Sequence, residues 1–195
     1  MITLDPPYRL ATAADAPALA ELVNFAGDGL PLHLWTDMAQ DGEDPWDVGR
    51  KRQASKAEAG QIVVADQGQG AVAGLTGYVI ADTPEDIGDD FPALFRPLQE
   101  LENEALSSWY VNVLACYPTH RGKGIGSGLL NLADRLAAAE GLSRLSVIVA
   151  SDNGGAMRLY ERHGYNEIAR RTCVRNGWFT KTDQWVLMIK TASNL

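Results

Sequence analysis

The chain has 195 residues, 46% of them hydrophobic, which is enough to bury a full core and favours one domain over 1–195 rather than two. Its 17 Lys and Arg against 25 Asp and Glu leave a formal charge of −8, which argues against a broadly basic face for gripping nucleic acid and suits a cationic partner. Cys116 and Cys173 match no paired metal spacing, and no segment approaches the roughly 18 apolar residues of a membrane span, so a soluble cytoplasmic protein with reduced thiols, no metal and no membrane partner is expected.

The first predicted elements lie in "YRLATAADAPALAELVNFAG", a short strand and then a helix. Asp15 stands at the N-cap, and Leu19, Leu22, Val23 and Ala26 recur at helical spacing up to Gly27. A polar, turn-rich stretch follows. "EDPWDVGRKRQASKAEAG" then reads as a second helix, with Asp44 as cap, Pro45 at the first helical position and Gly60 just past the end. "QIVVADQGQGAVAGLTGYVIAD" supplies two strands joined by the glycine turn Gln67 to Gly70, most simply a hairpin. An acidic insertion at about 83–107 carries Leu94, Leu98, Leu101 and Leu106 roughly on one helical stripe, and the strand "SWYVNVLACY" follows it. Ile125, Leu129, Leu132, Ala133 and Leu136 mark a helix up to Gly141, and "LSRLSVIVAS" returns as an apolar strand, so strand, crossover and strand predict parallel pairing. "DNGGAMRLYERHGY" is a short helix, and "NEIARRTCVRNG" with "DQWVLMIK" closes the chain as two strands around a polar loop.

The glycine ladder in "HRGKGIGSGLL" fails two nucleotide patterns. A P-loop needs Gly-Lys-Ser/Thr, but Gly124 follows Gly122-Lys123; a dinucleotide fingerprint needs a third glycine where Ser127 or Leu129 stands. What remains, Arg121-x-x-Gly124-x-Gly126 at a helix start, is still an anion cradle of free N–H groups.

That pattern after "NVLACYP" resembles motif A of the GNAT superfamily of acyl-CoA-dependent N-acyltransferases, whose signature is Arg or Gln, two residues, Gly, one residue, then Gly or Ala. "NGGAMRLYERHGY" resembles motif B, with Asn153, Ala156, Leu159, Tyr160, Gly164 and Tyr165 at the family's positions. The order of elements agrees along nearly the whole chain. The resemblance implies an α/β (α+β) fold, a twisted mixed sheet of about six to seven strands with helices on both faces, and transfer of an acetyl group from acetyl-CoA directly to a primary amine of a small molecule or peptide.

By the same resemblance, the backbone N–H groups of Arg121, Gly122, Lys123, Gly124, Ile125 and Gly126 hold the pyrophosphate, with charge added by Arg121 and Lys123. Leu114, Ala115 and Cys116 occupy the positions that make main-chain contacts to the pantetheine arm and the thioester, and Asn153 contacts the pantetheine. Tyr160 stands where the family's acid protonates the departing thiolate. Asn153 and Tyr160 are seven residues apart, which puts both on one side of a helix.

The base is open. Many relatives carry a carboxylate where this chain has Asn112, and others a Glu where it has Ile148. Asn112 holding a relay water, Glu102 or Glu104 acting directly, and an acceptor of lower pKa all remain, with the relay favoured. His120 reads as loop packing, Cys116 as a small buried hydrophobe, and the run Asp82 to Asp90 as a solvated loop; Trp35, Trp46 and Trp109 line an acceptor pocket or fill the core. The missing carboxylates keep alive an acyl-CoA-binding module without turnover. A longer acyl donor, a protein N-terminus or lysine as acceptor, and a homodimer are also compatible.

Overall fold

A computed structural model describes residues 2–191. In chain order the elements are β1 (Tyr8–Leu10), α1 (Ala16–Ala26), α2 (Leu30–Met38), α3 (Pro45–Glu58), β2 (Ile62–Asp66), β3 (Ala71–Ile80) and α4 (Arg96–Glu102). They continue with β4 (Ser108–Cys116), α5 (Ile125–Ala139), β5 (Arg144–Ala150), α6 (Gly154–Arg162), β6 (Asn166–Thr172) and β7 (Gln184–Thr191). The strands form one mixed sheet in the order β1-β2-β3-β4-β5-β7-β6, which is not closed into a barrel. The chain divides into two compact units, Met1–Thr76 with Val113–Leu129, and Gly77–Asn112 with Leu130–Leu195. Strands β3 and β4 and helix α5 each contribute one part to either unit.

In the first unit β1 and β3 pair antiparallel on either side of β2, so the predicted hairpin is present. Its turn is held by Asp66, whose Oδ1 accepts from the N–H groups of Gly68 and Gly70 at 2.7 and 3.0 Å; both glycines take positive φ, a conformation costly for any residue with a Cβ. Leu19 of α1 and Ala57 of α3 pack with Ile62 and Val64 of β2, all buried. Pro45 opens α3 as expected, with the Asp44 side chain accepting from the Trp46 N–H at 3.0 Å. Asp15 stands at the N-cap of α1 as expected, but its side chain makes no cap hydrogen bond to that helix. Its carboxylate reaches back to the Thr12 N–H at 2.8 Å and takes an ion pair from Arg9.

The polar stretch after Gly27 contains a helix, α2, that its spacing concealed. Asp28 and Gly29 take positive φ ahead of it, and Pro31 sits in its first turn, so turn residues crowd its start while only Leu30 and Trp35 of the helix are buried. Trp35 joins Ala20 and Val48 in a buried corner and meets Trp46 edge-on at 5.8 Å, which makes these two tryptophans packing residues.

In the second unit β4 runs parallel to β5 as predicted, with Trp109↔Leu145, Tyr110↔Ser146 and Val111↔Val147. The hydroxyls of Ser108 and Ser146, both buried, share a hydrogen bond of 2.7 Å across these strands. β7 pairs antiparallel with β5 along its length and with β6 on its other side, so the last strand in sequence lies inside the sheet. The insertion forms a shorter helix than its leucine spacing suggests: Leu94 and Leu106 fall outside α4, and the turn after it ends at Ser107 with φ of 53°. Arg96 donates to the carbonyls of Ile87 and Gly88, and Asn103 exchanges two hydrogen bonds with the backbone of Glu85. The acidic run is thereby tied to α4. No helix among the described residues is long and apolar enough to cross a membrane, and no group of His, Cys, Asp and Glu among them could hold a metal.

Candidate active site

The expected site residues fall in two groups: Leu114 to Gly126 belong to the first unit, and Asn112, Asn153 and Tyr160 to the second. Side chains alternate along β4, so Asn112 is exposed and Leu114 and Cys116 half-buried on one face, while Val113 and Ala115 are buried on the other. Asn112 is also the first β4 residue past the last pair with β5. Burial pushes the Cys116 thiol up, opposing the pull of the Arg121 and Lys123 charges, so it stays protonated and is a poor nucleophile.

After β4 the chain makes one tight turn, Pro118–His120, and then the glycine loop. Gly122 and Gly124 take φ of 73° and 80°, and nothing lies within 4 Å of where a Cβ would stand on either. No backbone acceptor among the described residues meets the N–H groups of Gly122 to Ser127. These groups open into α5, a helix of 15 residues whose dipole adds positive potential at that end. Arg121 does more than supply charge: its Nε donates to the Cys116 carbonyl at 3.1 Å, bracing the loop against the end of β4. His120 Nδ1 lies 3.0 Å from Gln67 Oε1, which fits the packing role expected of it. The other side of the helix start is fixed by Tyr8, whose hydroxyl donates to the Ile125 carbonyl at 3.4 Å and occupies the space a Cβ on Gly128 would need.

The second group has different chemistry. Asn153 is the N-cap of α6, its Oδ1 accepting from the Ala156 N–H at 3.1 Å, so it stands at the start of the helix that carries Tyr160. Its amide nitrogen is left to donate elsewhere. Tyr160 is buried, its ring 5.6 Å from that of Tyr165, and its hydroxyl has no hydrogen-bond partner among the described residues. Burial pushes its ionisation well above that of a free phenol. Tyr160 is therefore neutral and holds a proton it can donate.

Two tyrosines that sequence spacing did not single out stand in the same unit. Tyr78 of β3 and Tyr110 of β4 meet edge-on at 5.1 Å, and the Tyr78 hydroxyl donates to Glu102 Oε2 at 2.9 Å. Gly77 permits this approach, because a Cβ there would strike the Trp109 ring and the Tyr110 carbonyl. Trp109 is thus core. Nothing in the spacing of residues 24 apart signals the Tyr78 to Glu102 contact; only strand pairing next to the insertion creates it.

The family model described as "Acetyltransferase (GNAT) family" matches residues 31–165. The chain belongs to the GNAT acetyltransferase family. Solved structures with the GNAT fold agree over nearly its whole length. Mosquito arylalkylamine N-acetyltransferase like 5b superimposes with a TM-score of 0.64 at 18% identity, covering 94% of this chain and 98% of that one. The protein yncA from Salmonella typhimurium, solved with acetyl-CoA, gives 0.60 at 19% identity, covering 96% and 94%. A ribosomal-protein-alanine N-acetyltransferase from Brucella melitensis gives 0.59 at 19%, covering 94% and 98%. As a GNAT member the chain is an acyltransferase that uses acetyl-CoA as co-substrate.

Proposed function

We propose that this GNAT acetyltransferase, acting as a single catalytic domain, moves an acetyl group from acetyl-CoA directly to a primary amine of a small molecule or peptide. The observation that carries the reading is the open run of N–H groups from Gly122 to Ser127 at the start of α5, with two glycines in backbone conformations that leave the approach clear. Such a cradle fits a diphosphate. Arg121 braces it and Lys123 adds charge, while Leu114, Ala115 and Cys116 present strand backbone to the pantetheine arm and Asn153 offers its amide nitrogen. A backbone N–H aimed at the thioester oxygen stabilises the charge that develops there during attack. Tyr160 then gives its proton to the departing sulfur, and exposed Asn112 orients a water that relays the amine's proton outward. The thiols of Cys116 and Cys173 fit a reducing, cytoplasmic setting.

Calorimetry with acetyl-CoA, followed by thiol detection over a panel of amines and peptides, tests this directly. Binding with release of CoA in the presence of an amine is the expected result. Tight binding with no release for any acceptor would instead support an acyl-CoA-binding module, the reading that Asn112 and Ile148 favour by replacing the family's carboxylates. No binding at near-millimolar acetyl-CoA overturns both.

A further inference from the structure

Three carboxylates of the α4 region look alike in sequence and differ in structure. Glu100 and Glu104 are both taken by Arg171, in ion pairs of 2.8 and 2.5 Å. Glu102 has no ion pair among the described residues. Among those residues its one hydrogen bond comes from the Tyr78 hydroxyl, which occupies Oε2, and none of them donates to Oε1. The groups that bear on this side chain are Tyr78 from β3, Glu85 from the insertion, and Tyr110 from β4, and Tyr110 in turn feels Tyr160 from α6. None of these is a cation. A half-buried carboxylate that holds one hydroxyl of a tyrosine pair and has no ion pair among the described residues is an arrangement that a ligand ammonium would complete, through one charge-assisted hydrogen bond.

We propose that Glu102 is the anchoring carboxylate for the acceptor's primary ammonium group and the first acceptor of its proton, held in place by Tyr78. The proposal rests on the acetyl transfer argued above. In that reaction the ammonium gives one proton to Glu102, the freed lone pair forms the C–N bond at the thioester carbon, and the C–S bond breaks with its electron pair going to sulfur. Of the three ammonium protons, one stays on the amide nitrogen, one replaces the proton that Tyr160 gives the sulfur, and one leaves Glu102 for water. Glu102 is suited to the exchange because burial raises its affinity for a proton above that of an ordinary glutamate, while the Tyr78 hydrogen bond opposes this in part. Asn112 and its water then carry the proton on, so the missing strand carboxylate is supplied from the insertion.

Glu102→Gln keeps the volume and an oxygen for the Tyr78 hydroxyl but removes the charge, and Glu104→Gln is the control for the neighbouring ion pair. Binding of 2-phenylethylamine, 1,5-diaminopentane and alanine amide is measured by calorimetry on the full chain, which requires no turnover and so is independent of the acetyl-transfer reading. The best-bound amine should lose about tenfold or more in affinity in Glu102→Gln and little in Glu104→Gln, and the wild type should bind it better than the matching alcohol. With a turned-over acceptor, kcat/KM should fall about ten- to a hundredfold, and the acid limb of its pH profile, set in the wild type by protonation of Glu102, should disappear. Equal amine affinity in wild type and Glu102→Gln, no amine bound at millimolar concentration, or an unchanged acid limb in a variant that melts like the wild type would overturn the proposal.

Discussion

A free phenol with a reference pKa near 10 is already neutral at physiological pH, and burial of Tyr160 makes it harder still to ionise. A group in that condition can serve as an acid and not as a base, which is why the proton acceptor has to be sought elsewhere. Tyr160→Phe fills the same buried space beside Tyr165 and removes only the hydroxyl. It should lower kcat about ten- to a hundredfold with little change in the acetyl-CoA KM or in melting temperature, because a thiolate is a tolerable leaving group without help. Steady-state kinetics on any confirmed acceptor check this; an unchanged kcat removes the acid role. At the same scale, the Cys116 thiol lies in the expected thioester region, yet its raised ionisation makes self-acylation slow.

Strand β3 meets β4 closely at one point, and the cost of crowding it is calculable. At Gly77 a Cβ would collide with both the Trp109 ring and the Tyr110 carbonyl. The ring could move; the carbonyl belongs to a paired strand and cannot. Gly77→Ala should therefore cost about 1 to 3 kcal/mol even though alanine is ordinarily the better strand residue, and truncating Trp109 as well should not restore it. Denaturant unfolding of the single and double variants measures this. Sequence pattern located most elements, because Pro45, the Gln67 to Gly70 turn and the apolar period of α5 each leave a local signature. It missed α2, whose first turn is masked by Asp28, Gly29 and Pro31, and overextended α4, whose leucine stripe outlasts the helix. The motifs placed the glycine loop and Tyr160. The β5-β7-β6 order and the Tyr78 to Glu102 bond depend on pairings between distant segments, which local spacing does not encode.

Over the whole molecule acidic groups outnumber basic ones by 25 to 17, so at neutral pH stability depends on where the few cations are placed. Arg9 is shared by Asp15 and Asp66, at 2.7 Å to each. The hydrogen bond from Arg9, and after it those from Thr12, hold the Asp15 carboxyl down at about 2 against burial, which acts the other way. A carboxyl depressed in the folded state stabilises the protein above its unfolded value, near 3.8, and loses that contribution as pH falls toward 2. Arg9 is about one-third exposed, so solvent screening keeps the contribution to no more than about 2 kcal/mol. Asp15→Asn should reduce stability at pH 7 and have little effect near pH 2; parallel slopes for the two proteins between pH 4 and 2 would rule this linkage out.

Several bonds that shape the insertion begin and end within it: Arg96 to Ile87 and Gly88, and Asn103 to Glu85. Such a segment is braced partly from inside, like a cassette, and those of its residues that make no bond to the strands can be rewritten without disturbing the sheet. If Glu102 selects the acceptor, lineages of this enzyme can change their amine by editing one short stretch of chain while the machinery for acetyl-CoA stays as it is. Grafting residues 82–107 from one such relative onto another would then transfer acceptor preference in a single step.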